Sequence, residues 1–327
     1  MKLKIFLRKF FCAVFCAALF FSATEISSAE ESANEKLLQI ENDTYGGEQI
    51  GSILDRLNKL EKDYTGKNMR GNMNARIDAI YNILYSDTGE PSVIAKMNAL
   101  EWNINHEVKS GGIDKRLTTL ENSISGKTGT KNFIERIREL SKNSFGAENI
   151  PMIETQIPEN ILVKVSLTDA VDSKTLQVGD EINFVVAEDI FLDDNLIFAK
   201  GLQGEGTVTK VRQAKGWING NGKVEIDFNK IRCLDGRTIE IFVGEESKNK
   251  MTENKMIAGA SLVGMNLNSD LSKAFVRGKN IEVEVGTEFY VQTKNPVAVY
   301  VLPLDDGNLT IVEEDTPDDF DEYTEDE

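Results

Sequence analysis

The first half of the chain repeats its apolar and polar positions every 20 residues. There is no insertion across six copies, which begin at Ala33, Ile53, Met73, Val93, Ile113 and Phe133. The fourth position is always basic (Lys36, Arg56, Arg76, Lys96, Arg116, Arg136). The fifth is apolar (Leu37, Leu57, Ile77, Met97, Leu117, Ile137), and so is the eighth (Ile40, Leu60, Ile80, Leu100, Leu120, Leu140). Glutamate fills the ninth in four copies (Glu41, Glu61, Glu101, Glu121), and glycine the fourteenth in four (Gly46, Gly66, Gly126, Gly146). Positions 1, 5 and 8, with 12 in the middle copies (Tyr64, Leu84, Ile104, Ile124), form one stripe on a helix.

Before each later copy stands Ser52, Asn72, Ser92, Gly112 or Asn132, all suited to serve the free N–H groups of a first helical turn. Glycine at position fourteen suits the left-handed residue that ends a helix. Pro91 bars one continuous helix. The spacing therefore predicts one helix of about 12 residues and a loop of about 7 per unit. Helices that short are marginal in water, so the units bury their stripes on one another in a small stack or solenoid. Antiparallel neighbours are the expected path. The basic row and the glutamate row have the spacing to pair between units, but the expectation is solvated surface charge of little energetic weight.

From about Ile157 the period changes to two. Val163, Val165 and Leu167 alternate with polar residues, as do Ile182, Phe184 and Val186, then Val224, Ile226 and Phe228. Ile239, Ile241 and Val243 follow, then Ile281, Val283 and Val285, and finally Val297, Val299 and Val301. Glycine turns punctuate the runs, and Asp235-Gly236 between two of them is a strong hairpin signal. Eight or nine short strands are expected, in an antiparallel barrel or sandwich with one polar face. The fold class is thus α + β in separate domains: a signal peptide at 1–29, six helical repeats at 30–152, a β-barrel or sandwich at 153–303 and a disordered acidic tail at 304–327.

The chain begins with Lys2, Lys4, Arg8 and Lys9, twelve unbroken apolar residues from Phe10 to Phe21, and small residues ending Ser27-Ser28-Ala29. That is the layout of a secretory signal peptide cleaved after Ala29, and its apolar run is too short to span a bilayer. Cys12 and Cys16 each follow phenylalanine, which argues against lipoprotein processing. The expectation is an exported protein of the periplasm, envelope or cell surface, with no transmembrane span in the mature chain. Only Cys233 remains after cleavage, read as a small buried hydrophobe.

A net charge of −17 repels phosphate backbones and argues against nucleic-acid binding. Residues 304–327 hold twelve acidic and no basic side chains, a self-repelling segment read as disordered. The single histidine, His106, excludes multi-histidine metal sites and occupies a repeat's glycine position. Gly126-Lys127-Thr128 is a repeat loop and not a phosphate loop, since Glu121 stands where the first glycine belongs.

The turn order Val178-Gly179-Asp180, Phe198-Ala199-Lys200-Gly201, Gly204 to Val208, Gly222, Asp235-Gly236 and Val285-Gly286-Thr287 resembles exported bacterial envelope proteins without assigned activity. More distantly it resembles the C-terminal barrel of scaffold subunits in conjugation and type IV secretion channels. Ala199 departs from the proline common there, and Met256 to Met265 is a remnant of the glycine-rich helix many such proteins carry. The helical units resemble the short Arg-Leu-x-x-Leu-Glu repeats of exported bacterial proteins. The resemblance supplies no catalytic residue and implies no cofactor or metal.

Met256 to Met265, with Gly259 and Gly264, reads either as a helix packed on the barrel or as a protruding partner-binding or oligomerising element. Trp217, in a glycine-rich loop, reads as turn packing or as a stacking surface. Met256, Gly259, Gly264, Met265 and Trp217 are therefore the candidate partner contacts. Three function classes follow. A non-enzymatic envelope protein with a protein or cell-wall partner, self-association included, is the leading one. A ligand carrier using the barrel interior is the second, opposed by bulky residues such as Val224, Ile226, Ile239 and Ile241. An enzyme using Glu188 and Asp189 or Asp193 and Asp194 is the third.

Overall fold

A computed structural model describes residues 32–86, 89–214, 220–262 and 280–304. The expected signal peptide, the acidic tail from 305 onward, Trp217, Gly264 and Met265 lie outside the described residues. Six helices of 13 residues come first: α1 (Ala33–Tyr45), α2 (Ile53–Thr65), α3 (Met73–Tyr85), α4 (Val93–Asn105), α5 (Ile113–Ser125) and α6 (Phe133–Phe145). Each starts on the first residue of its repeat. The side chains of Ser32, Ser52, Asn72, Ser92 and Asn132 each accept from the backbone N–H three residues on, as N-caps do. Gly46, Gly66, Gly126 and Gly146 end their helices in the left-handed conformation, and His106 takes the same conformation at the end of α4. All residues at the fifth and eighth positions are buried.

The units do not form the expected chain of antiparallel neighbours. The ends of α1 and α2 lie together, Thr44 Oγ1 to Tyr64 OH being 2.8 Å, where an antiparallel pair would set an end against a start. α1 and α3 run in the same direction: Lys36 reaches Asp78 near their starts at 2.7 Å, and Tyr85 OH donates to Asp43 near their ends at 2.8 Å. α1 also packs on α5, and α2 on α6, four units away, while α1 meets α3 and α4 meets α6 two units away, besides the contacts of α2 with α3, α3 with α4, α4 with α5 and α5 with α6. A stripe that wraps from position 1 through 5, 8 and 12 needs more than one neighbour to cover it, and the bundle supplies them.

The charged rows are not solvated either. Glu41, Glu61, Glu101 and Glu121 are buried and receive two-pronged bonds from Arg56, Arg76, Arg116 and Arg136 of the following unit. Each glutamate also accepts the backbone N–H eight residues on (Gln49, Met69, Lys109, Gly129), which pins the loop to the helix it leaves. The two lysines of the basic row mark the units that lack this partner. Lys36 has no preceding unit, and Lys96 follows a unit with Tyr81 at position nine.

Twelve strands follow among the described residues: β1 (Ile153–Ile157), β2 (Leu162–Leu167), β3 (Val171–Asp172), β4 (Glu181–Val186), β5 (Ile190–Leu192), β6 (Asn195–Phe198), β7 (Gln203–Arg212), β8 (Lys223–Arg232), β9 (Thr238–Phe242), β10 (Glu282–Val283), β11 (Glu288–Thr293) and β12 (Val297–Pro303). The excess over the expected number comes from very short segments such as β3 and β10, too brief for alternation to reveal. Antiparallel strands close a barrel in the order β11-β2-β4-β7-β8-β9, flanked by a sheet β1-β12-β6-β5 and a pair β10-β3. The run Ile281 to Val285 yields only β10, because the chain turns at Gly286 and leaves Val285 exposed. Phe184, Phe228 and Phe289 fill the interior: Phe184 stands edge-on to the other two at 5.5 and 5.8 Å between ring centroids, and Phe228 and Phe289 lie tilted at 4.2 Å. Two helices, α7 (Glu245–Glu253) and α8 (Ile257–Leu262), lie between β9 and β10.

Candidate functional site

The helical and β regions share one hydrophobic core, and α4 is the element that joins them. Its sequence VIAKMNALEWNIN is apolar on more than one side, and ten of its thirteen residues are buried, as expected of a helix covered all round. On the barrel side it meets the hairpin tip between β8 and β9. Asn98 Nδ2 donates to the carbonyl oxygen of Leu234 at 2.9 Å, and a Cβ on Gly236 would stand 2.5 Å from Ile94. Trp102 Nε1 donates to Asp189 at 2.9 Å, and the other oxygen of that carboxylate accepts from the Lys200 N–H at 2.7 Å. The Val108 N–H donates to the carbonyl oxygen of Lys200 at 2.8 Å, and a Cβ on Gly201 would lie 2.0 Å from Val108 O. Two turn motifs read from the sequence, Lys200-Gly201 and Asp235-Gly236, thus form the seam against the repeats. In the sequence they read only as punctuation, and the one local feature that sets this place apart is the apolarity of the fourth unit.

The candidate catalytic carboxylates fall at separate places in the β region. Asp189 belongs to the seam. Asp193 and Asp194 both have left-handed backbones and form the two-residue turn between β5 and β6. Glu188 is exposed, 3.8 Å from Lys164. Among the described residues no group of three or more His, Cys, Asp or Glu side chains is arranged to hold a metal. Cys233 is buried, and burial with the neighbouring Asp235 charge pushes its thiol well above the ordinary range. For Glu121, burial acts to raise the pKa, but bonds from Arg136 and the Gly129 N–H outweigh it and hold the carboxyl below its usual value.

Of the candidate partner contacts, Met256 and Gly259 fall among the described residues. Met256 is half-buried and Gly259 is buried under β11, where a Cβ would meet the carbonyl oxygen of Glu288 at 2.4 Å. Ala260 and Leu262 are buried too, so α8 lies packed on the barrel and Gly259 faces no outside partner. No helix among the described residues is long and apolar enough to cross a membrane. A concavity of about 630 Å³ opens on the outer barrel wall, lined by Ser110, Asn183, Gln203, Glu205, Lys230 and Arg232 among others.

No protein-family model matches the chain, and a search of curated proteins finds no match. Among solved structures it is similar to ComB10 of the Com type IV secretion system of Helicobacter pylori, at 13% identity, covering 43% of this chain and 88% of that one. The TM-score is 0.24, at which the likeness carries no argument about function.

Proposed function

We propose that this is a non-catalytic exported protein of the cell envelope, in which the helical units act as an interaction and spacing module and the β region as a docking or assembly module. One observation carries the reading: the buried chemistry-bearing groups are already engaged in building the molecule. The four buried glutamates hold the repeats together, Asp189 holds the seam, Asp235 ties the hairpin tip to β12 through the Tyr300 N–H, and aromatic rings fill the barrel. What the molecule offers outward is one body with two kinds of surface. The basic, apolar and small-residue order of the first 29 residues supports export. The partner is a protein or the cell wall of the same compartment.

Fractionation of producing cells tests this. The mature chain is expected to stay with membrane or cell-wall fractions through high-salt washes, and full release as a soluble species would overturn it. The concavity of about 630 Å³ on the barrel wall favours a second reading, a small-ligand binder. That reading predicts ligand-dependent thermal stabilisation lost on Lys230→Glu.

A further inference from the structure

The bundle makes one end-to-end contact twice. A Cβ on Gly46, which ends α1, would stand 3.7 Å from the N–H of Gly112, which precedes α5. A Cβ on Gly66, which ends α2, would stand 3.3 Å from Asn132 Nδ2, which precedes α6. Both contacts join the end of one unit to the start of the unit four places on. Each also buries the residues beside it: Ile113 with Thr44 in the first, and Phe133 edge-on to Tyr64 at 5.2 Å in the second.

The same positions lie open where the series runs out. Gly126 and Gly146, ending α5 and α6, have open space where a Cβ would sit, and Ile124 beside the first is 40% exposed. At the opposite end, the starts of α2 and α3 expose Ile53 (38%), Leu54 (51%) and Met73 (42%), although the equivalent Ile113 and Phe133 are buried. The two open ends are thus the two halves of a contact this chain already makes with itself.

We propose that a second copy of this chain stacks on the first, the starts of α2 and α3 of one molecule seating on the ends of α5 and α6 of the next. Ile53 then covers Ile124 as Phe133 covers Tyr64. The proposal rests on the reading of the helical units as an interaction module and names that module's partner. Such a contact is head-to-tail and leaves one open end on each molecule, so it extends to trimers and longer chains unless it closes into a ring. The net charge of −17 opposes it, so association strengthens as salt screens the bodies from one another.

The test is the mass of the purified mature chain by light scattering and sedimentation across concentration and salt. Ile53→Lys and Ile124→Lys serve as variants, with circular dichroism confirming that each retains its helices. The wild type is expected to grow past the mass of a dimer. Each variant alone is expected to remain monomeric, and an equal mixture of the two to form a dimer, because each keeps the end the other lacks. A wild type monomeric at every concentration would overturn the stacking while leaving envelope retention to decide the broader function. An assembly that stops at a dimer, and that the mixture fails to restore, would overturn it in favour of a symmetric contact.

Discussion

Buried ion pairs link the helical units one to the next, whereas three packed rings fill the barrel interior. A unit of 20 residues presents two fully covered apolar positions, the fifth and eighth, and every other unit presents nearly the same two. Such a stripe is indifferent to which unit it meets. An arginine fork on a glutamate is not, since each unpaired partner is costly when buried. The arginines stand only where the preceding unit supplies a glutamate, so the ion pairs mark the register that apolar repetition leaves ambiguous. The barrel has no such ambiguity: its strands differ in length and spacing, and Phe184, Phe228 and Phe289 fit one closure.

The sharpest break in that comparison is Glu61→Ala. It leaves the Arg76 guanidinium without its countercharge, with Asn58 Oδ1 as its remaining acceptor, and the Met69 N–H without the Glu61 carboxylate, and is expected to cost about 3–5 kcal/mol in chemical denaturation. The paired change Glu61→Met with Arg76→Met is expected to recover most of that loss. Phe228→Ala empties the barrel interior and should cost a similar ~3–5 kcal/mol, with no paired rescue among charged residues.

The seam between the two regions comes next. Gly201→Ala forces a Cβ against Val108 O at a left-handed position, and calorimetry is expected to register about 2–3 kcal/mol of destabilisation. The acid response separates the regions further. Glu121 has its folded pKa depressed, so its stabilisation is present above the unfolded value near 4.5 and fades as pH falls through the folded one. The urea midpoint should drop on acidification, and Glu121→Gln should flatten that slope; an unchanged slope would remove the ion pair from the account. The smallest effect is expected from Lys96→Ala, whose partner Glu90 is exposed at 3.3 Å, at under about 1 kcal/mol in a thermal melt.

Much of the fold was legible because the signals are local. Helix starts at Ser52 or Asn132 and ends at Gly66 or Gly126 depend on atoms within a few residues, and alternation marked β2, β4, β8 and β9 for the same reason. The charged rows were visible but misjudged. Their burial depends on a loop folding back over each glutamate, which no pattern within one helix records. Gly112 teaches a similar lesson: it suits an N-cap, yet it makes no side-chain cap, and a Cβ there would come within 2.6 Å of the end of α1. Of the candidate partner contacts, Gly259 turned inward because a helix bearing glycine can lie closer to a strand than any other residue allows.

The sequence by itself determined the repeat length, the caps, the strand faces and the change from helix to strand, because each follows from the chemistry of neighbours along the chain. Only the tertiary structure decided which units touch, that Arg and Glu pair in the dark, and that two glycine turns of the barrel receive α4. Those outcomes depend on surfaces far apart in sequence meeting at close range, where burial converts the same side chains from solvated charge into the contacts that set the register.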